Sequence, residues 1–196
     1  MSTAHQRPRI GLLGGSFNPP HVCHLLSSLY WLETGGLSEV WWLPVHEHAF
    51  AKGRSLAPWA DRVAMCDAAL APYPRLRVEP IEASLPTPSY TLHTVQALRA
   101  RHPDVDFAWL IGSDLLPELP LWHRWPELSE ALDFLVLGRG DAPIALPPGR
   151  FELRSFVLPD VSSSSIRADL AAGRDATDRL PAGVARWLAE HPGTFS

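Results

Sequence analysis

The chain has 196 residues, 46% of them apolar and 19% charged, with a formal net charge of −4. That length suits one α/β domain with a full core, or a domain with a small appendage, and the composition excludes a disordered chain. The acidic balance excludes the extended basic surface of a non-specific nucleic-acid binder, so a phosphate ligand would need a local positive pocket.

In chain order, Arg9 to Leu13 reads as a short buried strand ended by Gly14 and Gly15, and Asn18, Pro19 and Pro20 as a stiff loop. His21 to Glu33 reads as a helix closed by Gly35 and Gly36, and Glu39 to Leu43 as a second strand stopped by Pro44. Strand, glycine turn, helix and strand make a βαβ unit and predict an α/β protein with a parallel sheet. The alternation continues: a helix from Pro58 to Leu70 with proline in its first turn, a strand over Arg75 to Glu79, a helix from Thr91 to Arg101, and a buried strand from Asp106 to Ile111 before Gly112. Leu115 to Ala131 reads as helical pieces broken at Pro117, Pro120 and Pro126. Asp133 to Leu137 is a strand, Asp141 to Pro148 a proline-rich loop, Arg154 to Leu158 a last strand, and Ser163 to Ala172 and Ala182 to Glu190 the closing helices. The 20 prolines are spread between these segments as rigid loops. No repeat and no domain boundary stands out, which predicts one domain over residues 1–196, with a core over about 9–160 and a small helical C-terminal part over about 161–196.

Cys23 and Cys66 make neither a CxxC pair nor a disulfide framework, which points to a reducing cytoplasm. The N-terminus lacks the long apolar region of a signal peptide, and no apolar stretch approaches the ~20 residues that span a bilayer.

Ligands of open parallel sheets bind at the carboxyl ends of the strands. Those ends carry Gly14 to His24, Pro44 to Lys52, Ile111 to Asp114, Leu137 to Arg139 and Asp160 to Arg167. The first of these is GGSFNPPHVCH. Its glycines let the backbone turn tightly and approach a ligand. His21 and His24, three residues apart, share one face at a helix start, where free N–H groups and the positive dipole end favour phosphate. Capping histidines or a metal pair would be the bland alternatives.

GGSFNPPHVCH resembles the GGxFxPxHxGH signature of the nucleotidyltransferases that carry an HxGH motif, and VSSSSIR (Val161 to Arg167) resembles their second signature, ISSTxIR. Between the two, PSYT (Pro88 to Thr91) and IGSDLLPELPLWHRWPEL (Ile111 to Leu128) are similar to the bacterial nicotinate mononucleotide adenylyltransferases, and the resemblance runs from Arg9 to Glu190. It implies a Rossmann-like doubly wound parallel sheet flanked by helices. It also implies attack of a mononucleotide phosphate on the α-phosphorus of ATP with loss of pyrophosphate. The nucleophile is already anionic, so neither a general base nor a covalent intermediate is needed, and catalysis rests on positioning two anions and stabilising charge.

Carried over position by position, the resemblance implies His21, His24 and Arg167 as catalytic residues. Gly14, Gly15, Ser16, Phe17, Lys52, Arg139, Ser163, Ser164 and Ile166 would lie on the ATP side. Ser89, Tyr90, Thr91, Asp114 and Trp122 would receive the mononucleotide, with aromatic rings on the pyridine. Serines ahead of a helix are also good N-caps, and the tryptophans could equally be core. Lys52 is the chain's single lysine and matches only loosely, since the loop reads HEHAFAKG. Cys23 stands where the family has glycine, adding bulk beside the nucleotide, and Asn18 stands where aspartate is frequent. Magnesium is expected with ATP, held by phosphates and water rather than by a protein cage. The expected partners are ATP and nicotinate mononucleotide, with no nucleic acid and no membrane, and self-association is left open. The rivals are the same chemistry on nicotinamide mononucleotide or phosphopantetheine, a non-catalytic nucleotide-binding module marked by Cys23, and a metal-dependent hydrolase built on His21, His24, His46, His48 and His93.

Overall fold

The computed structural model describes residues 7–47, 56–138 and 145–195. Its strands are β1 (Arg9–Gly15), β2 (Glu39–Pro44), β3 (Leu76–Val78), β4 (Asp106–Gly112), β5 (Asp133–Gly138) and β6 (Arg150–Ser155). They form one sheet in the order β3-β2-β1-β4-β5-β6, and every neighbouring pair is parallel. The helices are α1 (Val22–Thr34), α2 (Trp59–Leu70), α3 (Thr91–Arg101), α4 (Trp125–Ala131), α5 (Ser163–Ala171) and α6 (Ala182–Glu190).

A strand covered on both faces has no polar side to show, which is why the central strands read as nearly unbroken apolar runs. Alternation still divides them. Leu13, Val40, Trp42, Leu110 and Leu135 enter one core with residues of α1, α2, α5 and α6. Leu12, Trp41, Leu43, Trp109 and Phe134 enter the other with residues of α3 and α4. Helices on both faces make the sheet doubly wound and Rossmann-like, as right-handed crossovers require when the strand order grows outward on both sides of β1. The chain leaves β1 one way, to β2 and β3, and returns on its other side as β4. The crevice between the carboxyl ends of β1 and β4 is the topological switch point.

Some elements differ from the sequence reading. His21 does not begin the first helix but caps it, with extended backbone (φ −132°, ψ 171°). The last strand is Arg150–Ser155, ahead of the expected Arg154 to Leu158. As an edge strand it pairs with β5 alone and carries exposed Arg150 and Arg154, so it lacks an apolar run. The apolar residues expected in that strand, Phe156 and Leu158, pack against the core after the strand has ended. Between β4 and α4 the chain forms a 3-10 segment, Ser113–Leu121, containing Pro117 and Pro120; two missing N–H donors prevent a regular α-helix there. Gly14 serves packing as much as turning. A Cβ there would lie 2.5 Å from the Trp109 ring of β4, so the glycine lets that ring cross the end of β1.

Candidate active site

A cavity of about 510 Å³ opens at the switch point, within the size range of small-molecule sites. It is lined from β1 and its turn by Gly14, Gly15 and Ser16, from the α1 start by His21 and His24, and from the α5 start by Ser162 and Ser163. Its other end is lined by Ser89, Tyr90, Thr91, Asp114, Trp122 and His123. Segments as far apart as Gly14 and Ser163 thus meet at one rim, as the topology predicts. Phe17, Ser164, Ile166 and Arg167 are not among the cavity's walls. Lys52, Arg139 and His48 lie outside the described residues.

At the first motif, the His21 backbone N–H donates to Nδ1 of His24 at 3.1 Å. An accepting Nδ1 assigns the ring proton to Nε2, so His24 is a neutral imidazole whose donor is on the far edge of the ring. The ring is held on several sides. His21 stacks near it, with centroids 3.8 Å apart, and Phe17 lies 4.9 Å away. Phe17 is fully buried and stacks on Trp42 at 4.8 Å and 7°. Trp42 Nε1 donates to Ser28 Oγ (2.8 Å), and that hydroxyl donates to the His24 carbonyl (2.8 Å). Phe17 therefore serves the site as the floor beneath His24, not through its side chain in the cavity.

The second motif is fastened to the first. Ser162 caps α5, its Oγ accepting from the Ser165 N–H. Ser163 Oγ donates to the Pro19 carbonyl at 2.8 Å. Arg167 Nη1 donates to the Asn18 carbonyl at 2.7 Å, and Nη2 reaches Ser164 Oγ at 3.3 Å. Ile166 is fully buried and anchors α5 in the core. Arg167 and Ser164 border a separate, more open recess beside the entry to α2. Asn18 Oδ1 accepts from the Ala57 N–H at 2.9 Å, so this turn residue also holds the α2 entry.

Cys23 sends its thiol to the Pro159 carbonyl, 3.3 Å away, and is 3% exposed. Neither it nor Cys66 forms a disulfide. The thiol thus leans on the loop before α5, while Cys23 remains part of the cavity wall. Cys23→Gly is expected to lower stability by about 1–3 kcal/mol, from lost burial and helix propensity. Turnover per folded molecule should stay within about twofold. Chemical denaturation together with active-site-normalised kinetics checks this, and a loss of turnover without a loss of stability would give Cys23 a role of its own.

At the other end, Tyr90 caps α3 and its ring stacks on His123 (4.2 Å, 19°). Trp122 meets Trp109 edge-on at 6.3 Å. His93 packs on the same pair of rings, 5.5 Å from Tyr90, but neither it nor His46 lines the cavity. Among the described residues no group of three His, Cys, Asp or Glu could hold a metal ion, so His21, His24, His46 and His93 form no metal site by themselves.

The sequence reading missed three residues. His123 lines the cavity beside Trp122. Arg62 and Glu82 are buried beneath the rim. Glu82 accepts from the His46 N–H (3.2 Å), from Thr94 Oγ1 (3.1 Å) and from Ser89. Burial pushes its carboxyl above the ordinary range, with those bonds pulling the other way. A carboxyl raised in the folded state stabilises the fold below its unfolded value of about 4.3 and loses that contribution as pH rises through the folded value. Relative to Glu82→Gln, which does not titrate, the native chain should therefore lose stability as pH rises from about 4 across the weakly acidic range. Urea titrations of both proteins between these limits test it; a pH-independent gap would contradict it.

A doubly wound sheet with a histidine pair and a serine–arginine helix start joined at its switch point defines a nucleotidyltransferase, and the chain belongs to the Cytidylyltransferase-like family, whose model matches residues 12–169. Relatives narrow the class. The chain is 41% identical over 185 residues, 92% of its length and 94% of the relative's, to a probable nicotinate-nucleotide adenylyltransferase of Anaeromyxobacter dehalogenans. It is 39% identical over 186 residues, 93% of each chain, to one of Myxococcus xanthus. The solved Plasmodium falciparum nicotinic acid mononucleotide adenylyltransferase, complexed with NaAD, shares the fold with a TM-score of 0.77 at 18% identity, over 95% of this chain and 97% of that one.

Proposed function

We propose that this protein transfers the adenylyl group of ATP to nicotinate mononucleotide, giving nicotinate adenine dinucleotide and pyrophosphate, a step of NAD biosynthesis. The observation that carries the reading is the junction of the two signatures at the switch point, through Ser163 to Pro19 and Arg167 to Asn18. Relatives named for this reaction over nearly the whole chain support it.

In this reading an oxygen of the mononucleotide phosphate attacks the α-phosphorus of ATP, and the bond from that phosphorus to the oxygen of the β-phosphate breaks. His24 Nε2–H donates to the phosphate oxygens where charge accumulates, with His21 beside it. Ser163, Ser164 and Arg167 bind the leaving phosphates at the α5 N-terminus. Gly14, Gly15 and Ser16 line the nucleotide's path, and Lys52 and Arg139 extend the ATP side. Trp122, Tyr90 and Thr91 receive the pyridine and its carboxylate, Ser89 and Asp114 the rest of the mononucleotide. Magnesium bound to ATP would offset part of the triphosphate's charge. The hard oxygen donors along the wall, Asp160 and the serine hydroxyls, suit a hydrated ion held mainly by phosphate. Among the described residues no helix is long and apolar enough to cross a membrane, and a cytoplasmic setting is part of the reading.

The test is pyrophosphate release by the purified protein with ATP, magnesium and either nicotinate or nicotinamide mononucleotide. Release well above background with the acid supports the assignment. Release with the amide alone would move the acceptor, and release with neither would overturn the reading.

A further inference from the structure

Glu82 is 5% exposed, yet it forms part of the cavity wall together with Ser89, Tyr90 and Thr91. A carboxyl group so deeply placed needs partners, and Glu82 has three, each on a different segment. Oε2 accepts from the His46 N–H of the loop after β2 at 3.2 Å, and Oε1 accepts from Thr94 Oγ1 of α3 at 3.1 Å. The Ser89 hydroxyl, in the segment ahead of α3, is the third. The first of these donors cannot swing away. A peptide unit is planar and trans, so its N–H points opposite to its C=O, and the Val45 carbonyl on the far side of the same unit is held by Nη1 of Arg62 at 2.8 Å.

Ser89 is half-buried and lines the cavity, so its hydroxyl is where this arrangement meets a ligand. Three converging donors favour the ionised carboxylate, which can only accept. The proton of the Ser89–Glu82 bond therefore belongs to Ser89. A hydroxyl has one proton to give and two lone pairs. One lone pair takes the Glu47 N–H at 3.4 Å. The backbone of Ser89 is fixed as well, its N–H donating to the Glu47 carbonyl at 2.9 Å. What Ser89 offers to the cavity is thus a lone pair and no proton, and a ligand group that bonds it must be a donor. On a mononucleotide the ribose hydroxyls are donors, whereas the ionised phosphate and carboxylate only accept.

We propose that Glu82 is a positioning residue for the acceptor. By taking the Ser89 proton it leaves the Ser89 oxygen as an acceptor for a ribose hydroxyl of the mononucleotide. The ribose is thereby held at this wall, and the two anionic ends of the molecule are directed away from it. The inference rests on the adenylyl-transfer reading of the cavity, which supplies the mononucleotide.

Nicotinate mononucleotide and its 2′-deoxy and 3′-deoxy analogues test it by kinetics on the native protein, Ser89→Ala and Glu82→Gln. In the native protein, removing the hydroxyl that meets Ser89 should raise KM by about three- to tenfold, the share of one hydrogen bond, with kcat and KM for ATP nearly unchanged. Ser89→Ala should raise KM for the parent compound by the same factor and no longer distinguish it from that analogue. Glu82→Gln puts a donating amide in place of an accepting oxygen, so it should act likewise, and the double variant should be no worse than the single ones. The proposal is overturned if the native protein treats the three compounds alike or if Ser89→Ala still discriminates between them. It is also overturned if the loss in Glu82→Gln multiplies with that in Ser89→Ala or falls equally on KM for ATP. Should Glu82→Gln not fold, the Ser89→Ala comparison decides by itself. A native protein without turnover on nicotinate mononucleotide overturns the reading of the cavity, and the proposal with it.

Discussion

Replacing His24 with alanine should lower kcat about 10²–10³-fold, the usual effect of deleting one preorganised donor at developing charge. The fold should lose only about 1 kcal/mol, since what disappears with the ring is the capping acceptor for the His21 N–H. The expectation follows from tautomer and support. With Nδ1 occupied by that N–H, the ring acts as a neutral donor through Nε2, and the stack of Phe17 on Trp42 keeps it from turning. His24→Gln should recover little, because an amide that caps the helix as His24 does cannot also place a donor at the imidazole's far edge. Single-turnover rates with saturating ATP and nicotinate mononucleotide, alongside thermal melting, separate the two effects. Near-native turnover in His24→Ala would remove the first motif from the chemistry.

Arg167→Met is the second large effect. Hydrogen bonds to a charged group contribute about 1.5–3 kcal/mol each, so losing one at the phosphates corresponds to a fall of roughly 10- to 150-fold in kcat/KM for ATP. The described contacts of Arg167 show how the loss spreads. The side chain holds the Asn18 carbonyl, and Asn18 in turn holds the Ala57 N–H, so the β1 turn and the α2 entry lose one of their ties to α5, while the Ser163–Pro19 bond remains. Arg167→Lys should remain well below native activity, because an ammonium cannot reproduce a fork that bonds a carbonyl, a hydroxyl and an anion at once. Initial rates over a range of ATP concentrations for both variants check the order; a lysine variant equal to the native enzyme would reduce Arg167 to a point charge.

Much of this arrangement is legible in the chain. The glycine turn, helix and strand after Arg9 predict the parallel sheet, and the sheet predicts where Gly14 and Ser163 must meet. Legibility fails where the sequence carries no period. β6 is an edge strand, so its exposed arginines imitate a loop. The stretch Ser113–Leu121 is neither strand nor α-helix because its prolines withhold donors. Arg62 is a different case. It precedes Met65, Cys66 and Ala69 by three, four and seven positions, all buried, and a charge on that stripe was a visible signal of a buried guanidinium. Glu82 offered no such signal, because its burial follows from a short 3-10 segment, Ile81–Ser84, packed under the β2 loop.

The bonds that join the two signatures, from Ser163 to Pro19 and from Arg167 to Asn18, span 144 and 149 residues of chain. Contacts this distant must close long loops before they gain anything, and they form late. During synthesis the histidine segment leaves the ribosome long before the serine–arginine segment exists, since chains emerge from the N-terminus. In the proposed reading the nascent chain then carries the histidine half of the phosphate site before its arginine clamp, and a chain arrested short of α5 is expected to transfer no adenylyl group from ATP.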